Sequence, residues 1–84
     1  MNEKEELINN ISKIHTTIMG IDRIKKNLSL DSNDVVLWCK NQILDDASIV
    51  YRCGKNYYVN IDNKILTINA YSFTIITAHL KKEK

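Results

Sequence analysis

Proline is absent from this 84-residue chain, and glycine occurs only at Gly20 and Gly54. P-loop and Rossmann nucleotide sites need several glycines close together, so both are excluded, and no G-x-S-x-G elbow is present. No apolar run approaches the roughly 18 residues of a membrane-spanning helix. The acidic N-terminal segment has no apolar signal-peptide region, so we expect a cytoplasmic protein with no membrane partner.

Histidine and cysteine are scarce, with two residues of each type. His15, Cys39, Cys53 and His79 show none of the short spacings of a zinc site, so the sequence predicts no metal and no cofactor. Cys39 falls in a predicted helix and Cys53 in a predicted strand. We therefore interpret them as two reduced, packed thiols rather than a disulfide.

The composition is that of an ordinary globular protein, with 44% hydrophobic and 26% charged residues, and it predicts one domain over residues 1–84. The charge is unevenly distributed. Residues 1–46 hold six basic and eight acidic side chains, whereas residues 47–84 hold six and two. A polyanion would therefore dock preferentially on the C-terminal half.

Hydrophobic periodicity predicts an α+β fold, with two to three N-terminal helices packed on a four-stranded antiparallel meander sheet. A first helix is expected over residues 3–14, a second after an N-cap at Thr16 or Thr17, and a third after one at Asp31 or Ser32. The period then changes to that of strands. The predicted parts are a helical layer (3–46), a meander (48–80, with strands at 48–53, 56–61, 64–70 and 73–80) and a charged tail (81–84).

The last predicted strand is the most informative segment, because an apolar run carries Thr77 and His79. Strict alternation places both on one stripe with Phe73 and Ile75. Either face of this strand has enough apolar area to be the core side. His79 is thus predicted either at the edge of the core or at the mouth of a site.

Both histidines interrupt segments rich in isoleucine, which suggests a site. RNA cleavage by the neighbouring 2′-hydroxyl needs an acid, a base and a cation beside the phosphate, but no metal. The hypothesis assigns catalytic roles to His15, His79, Thr77 and Arg52. It assigns binding roles to Lys55, Thr17, Tyr57 and Asn69.

Each of these residues also has an ordinary structural interpretation. A histidine near a strand end is commonly a half-exposed structural residue, and charged residues such as Arg52 and Lys55 are common at hairpin turns. Tyr57 and Tyr58 must point to opposite faces, so at most one can join a site. Trp38 could stack on a base, but its helical neighbours favour core packing.

Five segments resemble a family of small uncharacterised bacterial and phage proteins: residues 14–17, 20–28, 34–40, 54–59 and 68–79. In that family the segment before the last strand more usually reads Asn-Ala-His-Ser, so Tyr71 stands where a histidine is usual. This departure argues against a mechanism that needs a third imidazole. The topology is also similar to the barnase, colicin and RelE-like ribonuclease superfamily, which places catalytic groups on the sheet and on the preceding helices.

Together these observations favour a small nuclease-like domain that binds or cleaves RNA. The alternative is a non-catalytic phage or mobile-element protein that inhibits a host defence protein or sequesters a small anionic ligand. A purely structural or oligomerising domain is a third interpretation, and a homodimer is compatible with the sequence. The distance between the imidazoles discriminates, because beyond roughly 12 Å they cannot address one phosphate.

Overall fold

The structure, a computed structural model, describes residues 2–81. Its elements are α1 (Glu3–Asn9), α2 (Ile18–Leu28), α3 (Val35–Leu44), β1 (Ile49–Cys53), β2 (Asn56–Ile61), β3 (Lys64–Asn69) and β4 (Ile75–Leu80). A 3₁₀ turn, Ile11–Lys13, follows α1. The predicted α+β fold is confirmed, while residues 82–84 of the predicted tail lie outside the described residues.

The four strands form one antiparallel sheet in the order β1-β2-β3-β4, which confirms the predicted meander. Tight turns join the first three strands. Gly54 has φ +61° in the turn between β1 and β2, where a side chain would be disfavoured. No helix within residues 2–81 has the length and hydrophobicity needed to cross a bilayer.

The helices cover one face of the sheet and leave the other face open. Alternate residues of β2 are buried beneath the helices, as expected for a half-covered antiparallel sheet. In β3, Leu66 and Ile68 join the same core, and Thr67 between them is also buried, on the opposite face. The core combines Leu7 of α1, Ile24 of α2, and Val35, Cys39 and Ile43 of α3 with Tyr57, Val59, Leu66, Ile68, Ile75 and Ala78 of the sheet. Trp38 packs against this core, as the sequence favoured.

The helix boundaries differ from the sequence predictions in two places. The first helix ends at Asn9 rather than at residue 14, because the side chain of Asn10 donates to the carbonyl of Glu6 at 2.8 Å and ends the regular helix. The third helix is capped by Asp34, not by Asp31 or Ser32. Oδ1 of Asp34 accepts a hydrogen bond from the backbone N–H of Leu37 at 3.0 Å.

The last strand begins two residues later than predicted. Phe73 has φ +59°, a left-handed backbone conformation that ends the preceding turn and that a strand cannot contain. β4 consequently starts at Ile75. The prediction that strand structure extends from residue 73 is therefore wrong.

A β-bulge also breaks the predicted alternation within β4. Ile75 pairs with Ile68, but the residue before Ile68 pairs with Thr77, which leaves Ile76 as the extra residue. Ile75 therefore lies in the core at 1% exposure, whereas Ile76 is 38% exposed. The predicted single stripe from Phe73 to His79 is wrong, because one inserted residue reverses the facing of all that follow.

The outer edge of β4 is covered by the segment that leads into α2 and by α2 itself. His15 forms an isolated parallel bridge with Thr74. The hydroxyl of Thr16 donates to the carbonyl of Ile75 at 2.8 Å, and the side-chain amide of Asn27 donates to the carbonyl of Ala78 at 3.2 Å. These contacts fix the position of His15 relative to the sheet.

Candidate functional site

The turn between β3 and β4, residues 69–74, is held by one side chain. Oδ1 of Asn69 accepts hydrogen bonds from the backbone N–H groups of Tyr71 and Ser72, both at 2.9 Å, and from the hydroxyl of Ser72 at 3.2 Å. The left-handed conformation of Phe73 costs roughly 1–3 kcal/mol for a bulky residue, and such strain clusters at functional sites. This turn is therefore a candidate for function.

His15 is fixed against this turn by both its backbone and its ring. Its backbone N–H donates a hydrogen bond to the carbonyl of Phe73 at 3.2 Å, and its carbonyl accepts one from the backbone N–H of Ile75 at 2.7 Å. The ring places Nδ1 2.8 Å from the carbonyl of Lys13 and Nε2 3.1 Å from Oγ1 of Thr74. Because a carbonyl can only accept, Nδ1 carries the proton of the neutral ring, and Thr74 donates to Nε2.

A chain of hydroxyl groups continues from His15 into the turn. Oγ1 of Thr74 lies 2.8 Å from Oγ of Ser72, which in turn lies 3.2 Å from Oδ1 of Asn69. With a neutral imidazole the donors run from Ser72 through Thr74 to His15, and the hydroxyl of Ser72 then has no proton to donate to Asn69. With a protonated imidazole they run in the opposite direction and end at Asn69. The chain can therefore relay a proton between His15 and the exposed hydroxyl of Ser72.

Cationic side chains surround the same turn. Cζ of Arg52 lies 5.3 Å from the ring centroid of Tyr71 and 5.7 Å from that of Tyr57. Nζ of Lys13 lies 5.7 Å from the ring centroid of Phe73. All three distances are within the range of cation–π attraction.

Lys55 belongs to the adjacent hairpin turn, and its carbonyl accepts from Ala70 at 2.8 Å. We call the group formed by Lys13, His15, Arg52 and Lys55 the basic corner.

Among the described residues, no carboxylate lies within ion-pair distance of a cation of the basic corner. The one ion pair among residues 2–81 joins Lys64 to Asp62 at 3.8 Å, in the turn between β2 and β3. Glu6 instead accepts a hydrogen bond from the hydroxyl of Tyr57 at 2.8 Å. Burial, followed by the hydrogen bond and charge of Glu6, raises the pKa of Tyr57. The positive charge of the basic corner is therefore not held in a direct ion pair, although Glu6 and Arg52 both act on the hydroxyl of Tyr57.

The structure brings together four of the residues that the sequence singled out, namely His15, Arg52, Lys55 and Asn69. Tyr57 lies beneath Arg52 on the helix-covered face and is 3% exposed, so it supports Arg52 rather than facing a ligand. Thr17 is at the N-cap of α2, as predicted, where its hydroxyl accepts from Gly20 at 3.0 Å. This hydrogen bond caps α2, so the side chain of Thr17 has a structural role here.

Thr77 and His79 lie elsewhere, on the open face of the sheet. Thr77 accepts from the side chain of Asn27 at 3.3 Å. His79 borders an open depression of about 690 Å³, lined by Asn60, Ile65, His79, Leu80 and Lys81. About 15 Å of strand separates Thr74, the partner of His15, from His79. The structure therefore does not bring the two imidazoles onto one phosphate.

The matched family supplies no activity. The chain matches the family model "Protein of unknown function (DUF3781)" over residues 8–79. It belongs to this family. Comparison with curated proteins and with solved structures gave no significant match. The DUF3781 match spans every residue of the basic corner and both histidines.

Four members of this candidate site were missed by the sequence analysis: Lys13, Tyr71, Ser72 and Thr74. The spacing of Asn69, Tyr71 and Ser72 is a recognisable signal for a turn capped by an asparagine side chain. No local signal marks Lys13, because it reaches Phe73 only when the segment before α2 docks on β4.

The remaining candidate ligand groups do not form a metal site. No group of three or more His, Cys, Asp or Glu side chains within residues 2–81 is arranged to hold a metal ion. Both cysteines are free. Burial raises the pKa of Cys39 to about 12, whereas Cys53 is exposed, contrary to the expectation that both thiols are packed.

Proposed function

We propose that this DUF3781 protein binds RNA at the basic corner. A backbone phosphate is held among Lys13, Arg52 and Lys55, and an adjacent base stacks on Tyr71. The observation that carries the proposal is the gathering of these cations around one strained turn, with no direct ion pair to a carboxylate in the part of the chain that the structure describes. Most affinity for nucleic acid comes from such phosphate contacts.

Tyr71 supports RNA over a simple anion as the ligand. Its ring is 73% exposed although Arg52 lies over it. An exposed aromatic ring beside a cation is the common platform for a single-stranded base, and each stacked base contributes roughly 1–3 kcal/mol. Arg52 can contact a phosphate while its guanidinium orients the ring.

His15 gives the same site one group for proton transfer. The relay through Thr74 to Ser72 can accept or deliver a proton at the surface of the corner. A positioned acid or base contributes roughly 10²–10⁴-fold to a rate. RNA cleavage at this site would therefore be slow and would depend on His15. The order of helices followed by a meander supports the likeness to small ribonucleases, but fold alone does not fix function.

The proposal is tested by measuring the salt dependence of binding to a fluorescent single-stranded RNA. Three phosphate contacts give a slope of about −2 in log K against log salt, at about 0.7 per contact for single strands. Lys55→Gln should reduce the slope by about 0.7. Lys26→Gln, an exposed charge on α2, is the matched control and should leave it unchanged. Equal slopes for both variants, or no binding, would refute the proposal.

A second function is favoured by exposed apolar residues at the start of α2. Ile18 is 81% exposed and Met19 is 72% exposed, which suits a protein partner better than a polyanion. This corresponds to the phage or mobile-element interaction protein. Failure of RNA binding, together with capture of one host protein by wild type but not by an Ile18→Ser, Met19→Ser variant, would replace the RNA proposal with this one.

A further inference from the structure

The two edge strands of the sheet, β4 and β1, differ in their hydrogen bonds to other segments of the chain. The edge of β4 is bridged by His15 and receives hydrogen bonds from Thr16 and Asn27. Within residues 2–81, the backbone of β1 makes no hydrogen bond to any segment besides β2. The sheet therefore has one edge covered by another segment and one free edge, β1, which α1 packs beside but whose outward backbone groups remain unpaired within residues 2–81.

The free edge carries few of the features by which proteins prevent strand pairing, since Arg52, on the helix-covered side, is its one charged residue. β1 contains neither proline nor lysine, and its pairing with β2 runs without a bulge. Its open-face side chains include Ile49, 67% exposed, and Tyr51, 45% exposed. Such an edge is a template for another strand.

The hairpin geometry identifies the backbone groups available at this edge. A two-residue turn joins β1 to β2, with Cys53 facing Asn56 across it. The closing pair of such a hairpin is hydrogen-bonded, and hydrogen-bonded and non-bonded pairs alternate from there. The peptide groups of Val50 and Arg52 therefore point away from β2, towards the free edge.

We propose that β1 pairs with β1 of a second copy of this chain, antiparallel, about a two-fold axis through Tyr51. This register pairs all five residues of the strand, with Ile49 opposite Cys53 and Val50 opposite Arg52. A two-fold axis through Arg52 would place two guanidinium groups directly opposite each other, which is unfavourable. The result is a continuous eight-stranded sheet.

A second copy suits this edge because the strand is complementary to itself. Tyr51 already stacks on Tyr58 at 5.5 Å between ring centroids. In the proposed dimer the two copies of Tyr51 form a non-hydrogen-bonded pair, in which side chains approach most closely. The stacked rings of Tyr51 and Tyr58 in one copy then meet the same two rings of the other copy and form a row of four across the two-fold axis. An unrelated peptide would not supply these rings.

The association should be weak. An edge of five residues is about 17 Å long, so the pairing buries less than the roughly 1,600 Å² of a standard interface. We expect a dissociation constant in the micromolar range or above.

Disulfide trapping tests the register directly. Ile49→Cys with the native Cys53 retained places a thiol opposite Cys53 of the second copy, with Cα atoms about 4.5 Å apart, within the range for a disulfide, and it leaves Tyr51 in place. Cys39 is buried with its pKa raised to about 12, so it does not compete. Ile76→Cys, an exposed position on β4, is the matched control and also retains Cys53.

Oxidation should convert the Ile49→Cys variant to a cross-linked dimer at least about tenfold faster than the Ile76→Cys variant. Equal rates would overturn the proposal.

Sedimentation of the unmodified protein from about 10 µM to 1 mM should show reversible dimer formation. Tyr51→Glu, which sets two carboxylates opposite each other, should raise the dissociation constant at least about tenfold, while Ile76→Glu should not. A monomer at every concentration, including one that binds an added strand peptide, would overturn the proposal. These measurements use no RNA, so their outcome is independent of the function proposed for the basic corner.

Discussion

Replacing Tyr57 with phenylalanine should lower the free energy of unfolding by about 1–1.5 kcal/mol. The ring is 3% exposed and stays in place, so only the hydrogen bond from its hydroxyl to Oε1 of Glu6, 2.8 Å long, is lost. Hydrogen bonds to charged groups contribute about 1.5–3 kcal/mol. Glu6 is only partly buried and regains water in the variant, which reduces the expected loss.

The loss is measured by urea and thermal unfolding. For a domain of this size, 1 kcal/mol corresponds to about 4–8 °C, so the melting temperature should fall by about 5–10 °C. The urea m-value should not change, because the surface exposed on unfolding is the same. A double-mutant cycle with Glu6→Gln should give a coupling energy of about 1 kcal/mol. No coupling between the two positions would refute the reasoning.

The pH dependence of the same pair has a defined sign. The pKa of Tyr57 is raised in the folded protein, first by burial and then by Glu6. The folded state therefore holds the phenolic proton when the unfolded chain has lost it. This contribution to stability is complete below the ordinary tyrosine pKa of about 10 and is lost as pH rises above it. The Tyr57→Phe variant lacks the phenol, so its free energy of unfolding should fall less steeply above about pH 10.

Three further changes test the packing around the site. Gly20→Ala should lower the free energy of unfolding by about 1 kcal/mol or more despite alanine's helix propensity, because the new methyl group would overlap Oγ1 of Thr16. Adding Thr16→Ala to this variant should remove the overlap and restore the lost stability. A thiol reagent should label Cys53 in the native protein and Cys39 only on unfolding, since burial raises the pKa of Cys39 to about 12. Asp34→Ala should cost about 1 kcal/mol in urea unfolding, because its side chain caps α3.

The fold could be predicted from hydrophobic period and turn residues, whereas its irregularities could not. The change from helical to strand spacing near residue 48 and the turn at Gly54 are local signals. The bulge in β4 left no such signal, because residues on both faces of that segment are apolar. Ile75 and Ile76 are chemically identical, so only packing decides which one enters the core.

The site was predictable in its chemistry but not in its assembly. The uneven charge and the scarcity of histidine pointed to His15, Arg52 and Lys55. Their arrangement depends on the docking of residues 13–16 against the start of β4, a contact between segments some 60 residues apart in the chain. Tyr57 was predicted to have a binding role, yet the register of β2 places its side chain on the helix-covered face of the sheet.

The separation of the two histidines limits the chemistry that one copy can perform. Paired acid and base groups give a bell-shaped pH profile, whereas a single group gives one ionisation. With His15 alone at the basic corner, any RNA cleavage should depend on this one imidazole. His15→Ala should abolish it, and His79→Ala should leave it unchanged. A bell-shaped profile that is lost in both variants would mean that the imidazoles act together, and it would contradict their placement at opposite ends of β4.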